Sequence, residues 1–371
     1  MIAIPTASLL QHFSSIQDPR VDRQKKHQLQ DIFFITLCAV ICGADNWVAI
    51  EEFGNSKKEW FTDLLGLEHG IPSHDTLGDV FAAIDHEPFS ECFSNWVADL
   101  ANLTNGEVIA IDGKCVRRSL DKASNKAAIH MVSAWARQNG LVLGQVKVDE
   151  KSNEITAIPK LLSRLDINGA VVTIDAMGCQ KKIAEQIVQQ GGDYVLSLKG
   201  NQGSLQDDVS TYFTSALSPD AAVVSIDGDH GRIETRAVRV TDEIDWLKER
   251  HPWRGLKSIL AVTATRESGH KVTEETRYFI SSLPANDPTR LERAVRAHWS
   301  IENNLHWVLD IAFDEDRNRT RKGHSAANLA VIRHIAVNLI KKEKSSKVGV
   351  KTKRLKAGWN NDYLLRVIGG I

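Results

Sequence analysis

The sequence contains few cysteines, and their spacing does not suit a metal or disulfide framework. The 371-residue chain has five, none of which forms a CxxC pair: Cys38, Cys42, Cys92, Cys115 and Cys179. Zinc sites built on cysteine need closely spaced thiolates, often together with histidines. Cys38 and Cys42 are one helical turn apart in an apolar run, which is typical of buried core thiols. We therefore predict neither a zinc-binding module nor a disulfide-stapled domain.

Long hydrophobic runs are also absent. The longest apolar stretch, residues 32–44, has 13 residues, whereas a membrane-spanning helix needs about 20. The sequence does not start with a basic segment followed by an apolar one, which a secretion signal would require. With 42% hydrophobic and 25% charged residues, the composition is that of a globular protein. We expect a cytoplasmic protein with no membrane partner.

The net charge is close to zero, but it is unevenly distributed. The formal net charge is −1, yet residues 317–356 hold 13 lysines and arginines and a single acid, Glu343. That segment therefore carries +12, and the rest of the chain carries −13. Such asymmetry is typical of a protein with a polyanionic partner, although a solvated basic tail would have the same composition.

The first hundred residues have the pattern of a helical domain. Helices are predicted at residues 29–44, 47–65 and 88–100, and Ser73 is a capping candidate for another helix between them. We place the end of this N-terminal domain, residues 1–104, in the polar stretch that follows the last of these helices.

Beyond residue 105 the pattern alternates between strands and helices. Strands are predicted, in chain order, at residues 107–112, 128–135, 141–148, 170–175 and 193–198. Asn139-Gly140 is the expected hairpin turn between the second and the third. Helices follow the third and fourth strands, and this order of elements is that of an α/β ribonuclease-H-like fold. We assign it to residues 105–345.

Two features are added to this core. Several alternating strands between about residues 205 and 285 indicate an inserted β region. A long helix is predicted to begin at Asp287-Pro288, where an N-cap residue precedes a proline in the first helical position. Residues 346–371 are predicted to form a basic C-terminal extension.

Two aspartates end apolar strands in the same way. Asp112 and Asp175 each follow an isoleucine at the end of a predicted strand, and each precedes small residues. Functional side chains of α/β folds lie at the carboxyl ends of parallel strands. If the two strands are neighbours, the carboxylates converge, and they then need a proton or a cation between them. Oxygen ligands of this kind suit magnesium or manganese. The alternative is that each aspartate only caps the turn that follows it.

A glutamate is the third candidate. On the helix after Pro288, a stripe with three- and four-residue spacing is expected to face the core: Leu291, Val295, His298, Glu302, Leu305 and Leu309. Burial of Glu302 in that stripe would be costly without a partner. A metal held by the two aspartates would offset the cost. Pairing with an arginine, or a place at the rim of the stripe, would also do so.

Several motifs together resemble the insertion-sequence DDE transposases of the H-repeat-associated type. The stretch HWSIE at residues 298–302 resembles the glutamate-bearing helix of that family. Residues 109–114 and 173–180 resemble its two aspartate motifs. Further similar stretches are residues 70–76, 151–159, 198–202 and 230–232. Hairpin-forming relatives carry a tyrosine, an arginine and a lysine where this chain has Val295, His298 and Leu309, so a hairpin intermediate does not follow from the resemblance.

The resemblance implies an activity, a cofactor and partners. Asp112, Asp175 and Glu302 would hold two Mg²⁺ or Mn²⁺ ions and cleave double-stranded DNA at the ends of the element. The freed 3′-OH would then attack target DNA, by two-metal phosphodiester chemistry. Paired DNA ends imply a homodimer in the nucleoprotein complex. Asp310 is the substitute if Glu302 is not the third ligand.

Contacts with DNA are predicted for side chains near these motifs. The strongest candidates are the basic side chains directly after the Glu302 helix: Arg317, Arg319, Arg321 and Lys322. The other candidates are Lys114, Lys199, Asn201, Arg232 and His298. For Lys199 and for Arg232 together with Arg236, local structural roles are equally compatible with the sequence.

Other functions remain open at this point. A host-retained nuclease would use the same acidic residues, and terminal repeats beside the gene would separate it from a mobile transposase. An inactive, transposase-derived DNA-binding protein would not need the acids. A hydrolase of small phosphates would leave the basic segment unexplained.

Overall fold

The structure, a computed structural model, describes residues 7–22, 25–101, 106–120, 127–149, 152–215, 218–229, 232–268 and 271–369, without the side chains of residues 7, 8, 229 and 232. The chain divides into two compact units, and neither is one continuous stretch. Unit 1 contains Met1–Asn102, Gly113–Asn153 and Glu302–Ile371, and unit 2 contains Leu103–Asp112 and Glu154–Ile301. The predicted boundary at residue 104 lies outside the described residues.

The N-terminal part of unit 1 is helical, as the sequence predicts. Its helices are α1 (Ala7–Phe13), α2 (Leu29–Ile41), α3 (Trp47–Ser56), α4 (Lys58–Leu65), α5 (His74–Ala83) and α6 (His86–Leu100). Ser73 caps α5 as predicted, because its side chain accepts a hydrogen bond from the Thr76 N–H. One predicted helix at residues 47–65 is instead two, since the backbone leaves helical geometry at Lys57. In α2, Cys38 is fully buried in the core.

The C-terminal part of unit 1 adds four helices. They are α12 (Trp307–Ala312), α13 (Ser325–Lys342), α14 (Val350–Trp359) and α15 (Asn361–Gly369). Part of the basic segment is buried here: Arg333 is 1% exposed, and Arg354 donates a 2.6 Å hydrogen bond to Asp45. The basic charge is therefore divided between structural ion pairs and surface. None of the described helices has both the length and the apolar character needed to cross a membrane.

Unit 2 is built on a sheet whose central strands are parallel. The strands are β1 (Val108–Cys115), β4 (Val171–Ile174), β5 (Asp193–Leu198), β6 (Val223–Asp229), β7 (Arg232–Thr241), β8 (Ser258–Ser268) and β9 (Lys271–Ser281). The first three pair in parallel, with β4 in the middle. Its helices are α7 (Glu154–Leu162), α8 (Lys181–Gln189), α9 (Gly203–Thr214), α10 (Asp245–Arg250) and α11 (Pro288–Ile301).

The predicted inserted region extends this sheet. The strand β9 pairs antiparallel with β5, and β8, β7 and β6 follow outward in antiparallel order. Helix α11 packs against β4, β5, β6 and β7. Its apolar residues Leu291, Ala294 and Val295 join a core cluster with strand residues such as Val171 and Leu260.

A hairpin of unit 1 completes the strand order. It consists of β2 (His130–Ala136) and β3 (Leu141–Lys147), which pair antiparallel. Gly140 has a φ of +64°, which explains the glycine in the predicted turn. The strand β1 belongs to both units, and the described strands form one sheet in the order β3-β2-β1-β4-β5-β9-β8-β7-β6.

Candidate active site

Asp112 and Asp175 occupy matching positions on adjacent parallel strands. Ile111 pairs with Ile174 in the register of β1 and β4; Asp112 is the next residue of β1, and Asp175 directly follows the last residue of β4. Side chains alternate between the faces of a sheet, so this register predicts that the two carboxylates leave it on the same side. Both are partly buried. The predicted turn after Asp112 is wrong, however, because β1 continues to Cys115.

The turn after β4 fixes the Asp175 carboxylate. Its Oδ1 accepts hydrogen bonds from the backbone N–H groups of Met177 and Gly178, at 3.0 and 3.3 Å. Only glycine fits at position 178, since a Cβ atom there would lie 2.2 Å from the Ile174 side chain. The capping role considered for Asp175 is thus present, but within the described residues it uses one of the two oxygens. The other stays available for a ligand.

The loop after β5 braces this turn. The side-chain amide of Asn201 donates a 2.6 Å hydrogen bond to the Ala176 carbonyl, and that of Gln202 donates a 2.9 Å bond to the Cys179 carbonyl. Asn201, a predicted DNA contact, therefore already supports the Asp175 turn. Lys199, at the start of the loop, is exposed.

Helix α11 approaches the same strand end. His298 Nδ1 lies 3.4 Å from Thr173 Oγ1, two residues before Asp175 on β4. Because α11 continues directly into residue 302, Glu302 follows His298 by about one helical turn. The side chain of His298, which was predicted to contact DNA, thus lies against the strand that carries Asp175.

Glu302 is more exposed than the sequence predicts. Residues 302–306 form a π-helical turn between α11 and α12, and such turns often occur at functional sites. The side chain of Glu302, at the start of this turn, is 58% exposed. Leu305 stays buried. Glu302 is therefore not buried in the core, and its exposure agrees with the alternative of a place at the rim of the stripe.

His306 contacts Glu302, and the sequence analysis did not single it out. Its Nδ1 lies 3.3 Å from Glu302 Oε2, and its side chain is only 6% exposed. The signal in the sequence was a histidine four residues after the candidate glutamate, a spacing that brings two side chains together on a helix.

Lys114 lies in a cluster of carboxylates. Its ammonium lies 2.7 Å from Asp310, 3.1 Å from Glu315 and 3.4 Å from Asp316. Burial lowers the pKa of Lys114, but Glu315 and Asp310 outweigh this effect and raise the pKa to about 12. Pairing with these three carboxylates favours a structural role for Lys114 over the predicted contact with DNA. Lys114 also pairs with Asp310, the acid that would replace Glu302 as the third metal ligand.

The predicted basic cluster lines an open groove of unit 1. Arg319, Arg321 and Lys322 border a groove of about 530 Å³ that also includes Trp47 and His74. Arg317, nearby in sequence, is 79% exposed. Lys322 pairs with Asp79 at 2.6 Å, but both side chains are more than half exposed. These side chains are therefore accessible to a ligand.

The arginines of the outer strands have local partners where their side chains are described. Arg236 lies 2.6 Å from Asp227 and 2.9 Å from Glu234, and its guanidinium stacks over the Trp299 ring at 5.8 Å. Pairing with local acids, the alternative considered for this residue, is what the structure shows. The side chain of Arg232 lies outside the described residues, as do positions 230–231 of the motif.

Comparisons with known proteins identify the family. Residues 10–97 match the family described as DDE_Tnp_1-associated, and residues 104–339 match the family described as Transposase DDE domain. "Putative transposase YncI" of Escherichia coli O157:H7 is 43% identical over 97% of this chain and 94% of its own length. "H repeat-associated putative transposase YhhI" of Escherichia coli K12 is 41% identical over 98% of both chains.

A solved piggyBac transposase synaptic complex with hairpin DNA is 10% identical, with a TM-score of 0.46 over 99% of this chain and 77% of that one. The family matches and the two bacterial relatives agree with the family that the sequence motifs indicate. The chain therefore belongs to the DDE transposase family and is similar to its H-repeat-associated members over nearly its full length.

Proposed function

We propose that the protein cleaves DNA at the ends of an insertion sequence and joins the freed 3′-OH to target DNA, with Asp112, Asp175 and Glu302 as its catalytic acids. The observation that carries the proposal is the pairing of Ile111 with Ile174. This register supports the proposal that the two carboxylates converge near the carboxyl end of β4, since α/β enzymes bind ligands at the carboxyl ends of parallel strands.

The donor set fits Mg²⁺ or Mn²⁺. Carboxylate oxygens are the ligands these ions prefer, and two adjacent carboxylates repel each other unless a cation or a proton lies between them. The turn at residues 175–178 holds Asp175 by Oδ1 and leaves Oδ2 for an ion. Two divalent ions bound there would supply an activated water and stabilise the departing 3′-oxygen.

The protein's own residues would position this chemistry. Asp112 would bind both ions, and Asp175 and Glu302 would each bind one. His306 would orient Glu302 through its 3.3 Å contact. His298 would hold α11 against β4 through Thr173. Together they keep the carboxylates fixed while the phosphodiester is exchanged.

Exposed basic side chains would bind the DNA backbone. The best placed are Arg317, Arg319, Arg321 and Lys322, with Lys199 on the loop beside the Asp175 turn. Phosphate contacts position DNA without reading its sequence. We also propose that two copies of the chain assemble on the paired ends of the element.

The test is cleavage of DNA that carries the gene's own flanking ends, in Mg²⁺ and in Mn²⁺. Asp112→Asn, Asp175→Asn and Glu302→Gln are compared with Asp207→Asn, a matched change at an exposed aspartate on α9. We expect cleavage and joining to a target plasmid by the wild type and by Asp207→Asn, and neither reaction by the three site variants.

Other outcomes identify the competing functions. Cleavage without joining would indicate a nuclease. Binding of the ends with no cleavage in either metal would indicate a DNA-binding descendant of a transposase. If Glu302→Gln alone stayed active, Glu302 would not be the third acid.

A further inference from the structure

A second group of metal-ligating side chains lies within unit 1, outside the proposed catalytic set. It consists of Asp85, His86 and His324, whose ligand atoms all lie within 4.8 Å of one another. The Nδ1 atoms of the two histidines are 3.1 Å apart, and Asp85 Oδ1 is 3.7 Å from His86 Nδ1. No motif of the sequence analysis pointed to these residues.

The backbone brings these residues together from distant parts of the chain. Asp85 caps α6 and His86 is its first residue, whereas His324 directly precedes α13. The His324 N–H donates a 3.0 Å hydrogen bond to the Ala82 carbonyl. At Gly323, where φ is +50°, a Cβ atom would lie 2.3 Å from the same carbonyl oxygen, so only glycine permits this approach.

A side chain on α13 also holds the turn between α5 and α6, called here the α5–α6 corner. The Asn328 amide donates hydrogen bonds of 2.9 Å to the carbonyls of Phe81, in the last turn of α5, and Ile84, which follows α5. Asn328 is fully buried. The two segments are thus fixed against each other by the protein itself, and the histidines meet in a preformed arrangement.

A carboxylate behind His86 favours the tautomer that binds metal. Glu87 Oε1 lies 3.3 Å from His86 Nε2. An imidazole that donates its Nε2–H to a carboxylate keeps the Nδ1 lone pair for a ligand, as metal-binding histidines commonly do.

We propose that Asp85, His86 and His324 bind a divalent transition-metal ion of the zinc class, which joins the α5–α6 corner to the start of α13. Two nitrogens bound tetrahedrally at 2.0–2.1 Å lie about 3.3 Å apart, close to the 3.1 Å between the two Nδ1 atoms. Two imidazoles and one carboxylate suit zinc, cobalt or nickel better than magnesium. The role of the ion is to stabilise the fold of unit 1.

The test measures metal binding in full-length, untagged protein that carries Asp112→Asn and Asp175→Asn, so that the proposed catalytic ions do not contribute. Zn²⁺ is titrated by calorimetry, and Co²⁺ is followed by visible absorption. We expect one ion per chain and a higher Tm at saturating Zn²⁺. His86→Asn and His324→Asn should lose both effects, whereas His12→Asn, a histidine paired with Asp99, should keep them.

Asp85→Asn tests the site even if the histidine variants fail to fold. Asparagine caps helices as well as aspartate does, so this variant should fold normally and bind Zn²⁺ at least tenfold more weakly. A chain that binds no Zn²⁺, or one whose stoichiometry is unchanged in His86→Asn and His324→Asn, would overturn the proposal. The two Nδ1 atoms would then share only a hydrogen bond.

Discussion

Thr173 and His298 lie 3.4 Å apart, and this contact joins α11, the helix that precedes Glu302, to β4, the strand that precedes Asp175. Both side chains belong to unit 2, and α11 packs along β4. The histidine that the family motif places before the glutamate is therefore in contact with the sheet. Its position suggests that it orients the site, and this role can be separated from a contact with DNA.

The first prediction concerns His298. His298→Gln should lower the rate constant of end cleavage on the order of 10- to 100-fold, since small displacements of catalytic groups have effects of this size. The affinity for element-end DNA, measured by fluorescence anisotropy, should be unchanged. Thr173→Val, which removes the other partner of the contact, should likewise lower the rate constant and leave the DNA affinity unchanged. A loss of affinity with an unchanged rate would instead support the predicted DNA contact.

The second prediction concerns His306. His306→Asn should raise the Mn²⁺ concentration needed for half-maximal cleavage by about 10- to 100-fold, which is the usual effect of losing a residue that orients a metal ligand. Excess Mn²⁺ should restore activity to this variant. Glu302→Gln should not recover at any concentration. Equal recovery of both variants would show that Glu302 is not a metal ligand.

The third prediction concerns the pair formed by Lys322 and Asp79. Lys322→Gln should weaken DNA binding equally for all sequences and reduce the slope of log K against log salt concentration by about 1. Asp79→Asn should strengthen binding, because it frees the lysine from its 2.6 Å ion pair. Binding isotherms at several salt concentrations measure these slopes. Unchanged slopes would show that the DNA does not contact Lys322.

The fourth prediction concerns the buried pair of Glu315 and Arg333. The two side chains are 2% and 1% exposed and lie 3.3 Å apart. Glu315→Gln should reduce the free energy of unfolding by about 3–5 kcal/mol, because it leaves Arg333 with an uncompensated charge. Urea denaturation of the variant measures this change. A cost below about 1 kcal/mol would show that water compensates the arginine.

The fifth prediction concerns pH. Burial lowers the pKa of His334 to about 4, from an ordinary value of 6.5. The unfolded chain then binds a proton that the folded chain does not, so stability falls as the pH drops from 6.5 towards 4. The loss reaches roughly 3 kcal/mol. Urea midpoints measured across this range should follow the decline.

Variants at His334 and Glu315 separate the contributions to this decline. His334→Leu should flatten the pH dependence between 4 and 6.5. The lowered pKa of Glu315, due to Arg333 and Lys114 despite its burial, acts from its ordinary value of 4.5 downward, at the acid end of that window and below it. Its stabilising effect is present above the unfolded pKa and is lost as the pH falls through the folded one. An unaltered decline in His334→Leu would assign it to other groups.

Much of the fold could be predicted because it depends on local pattern. The buried strand predicted at residues 193–198 has those bounds in β5. The Asn139-Gly140 turn and the Ser73 cap also form as expected. Each follows from side-chain periodicity or from the chemistry of a few neighbouring residues. Asp112 and Asp175 were found for the same reason, since each ends a buried apolar run.

The sequence by itself thus determined the order of the elements and the family, and it indicated Asp112 and Asp175 as candidate site residues, because all of these depend on short motifs. Only the tertiary structure decided the surroundings of the other charged groups. It left Glu302 exposed at the start of a π-helical turn, and it paired Lys114 with Asp316, 202 positions away. Such pairings depend on which distant side chains share a low-dielectric interior, and no local pattern encodes that.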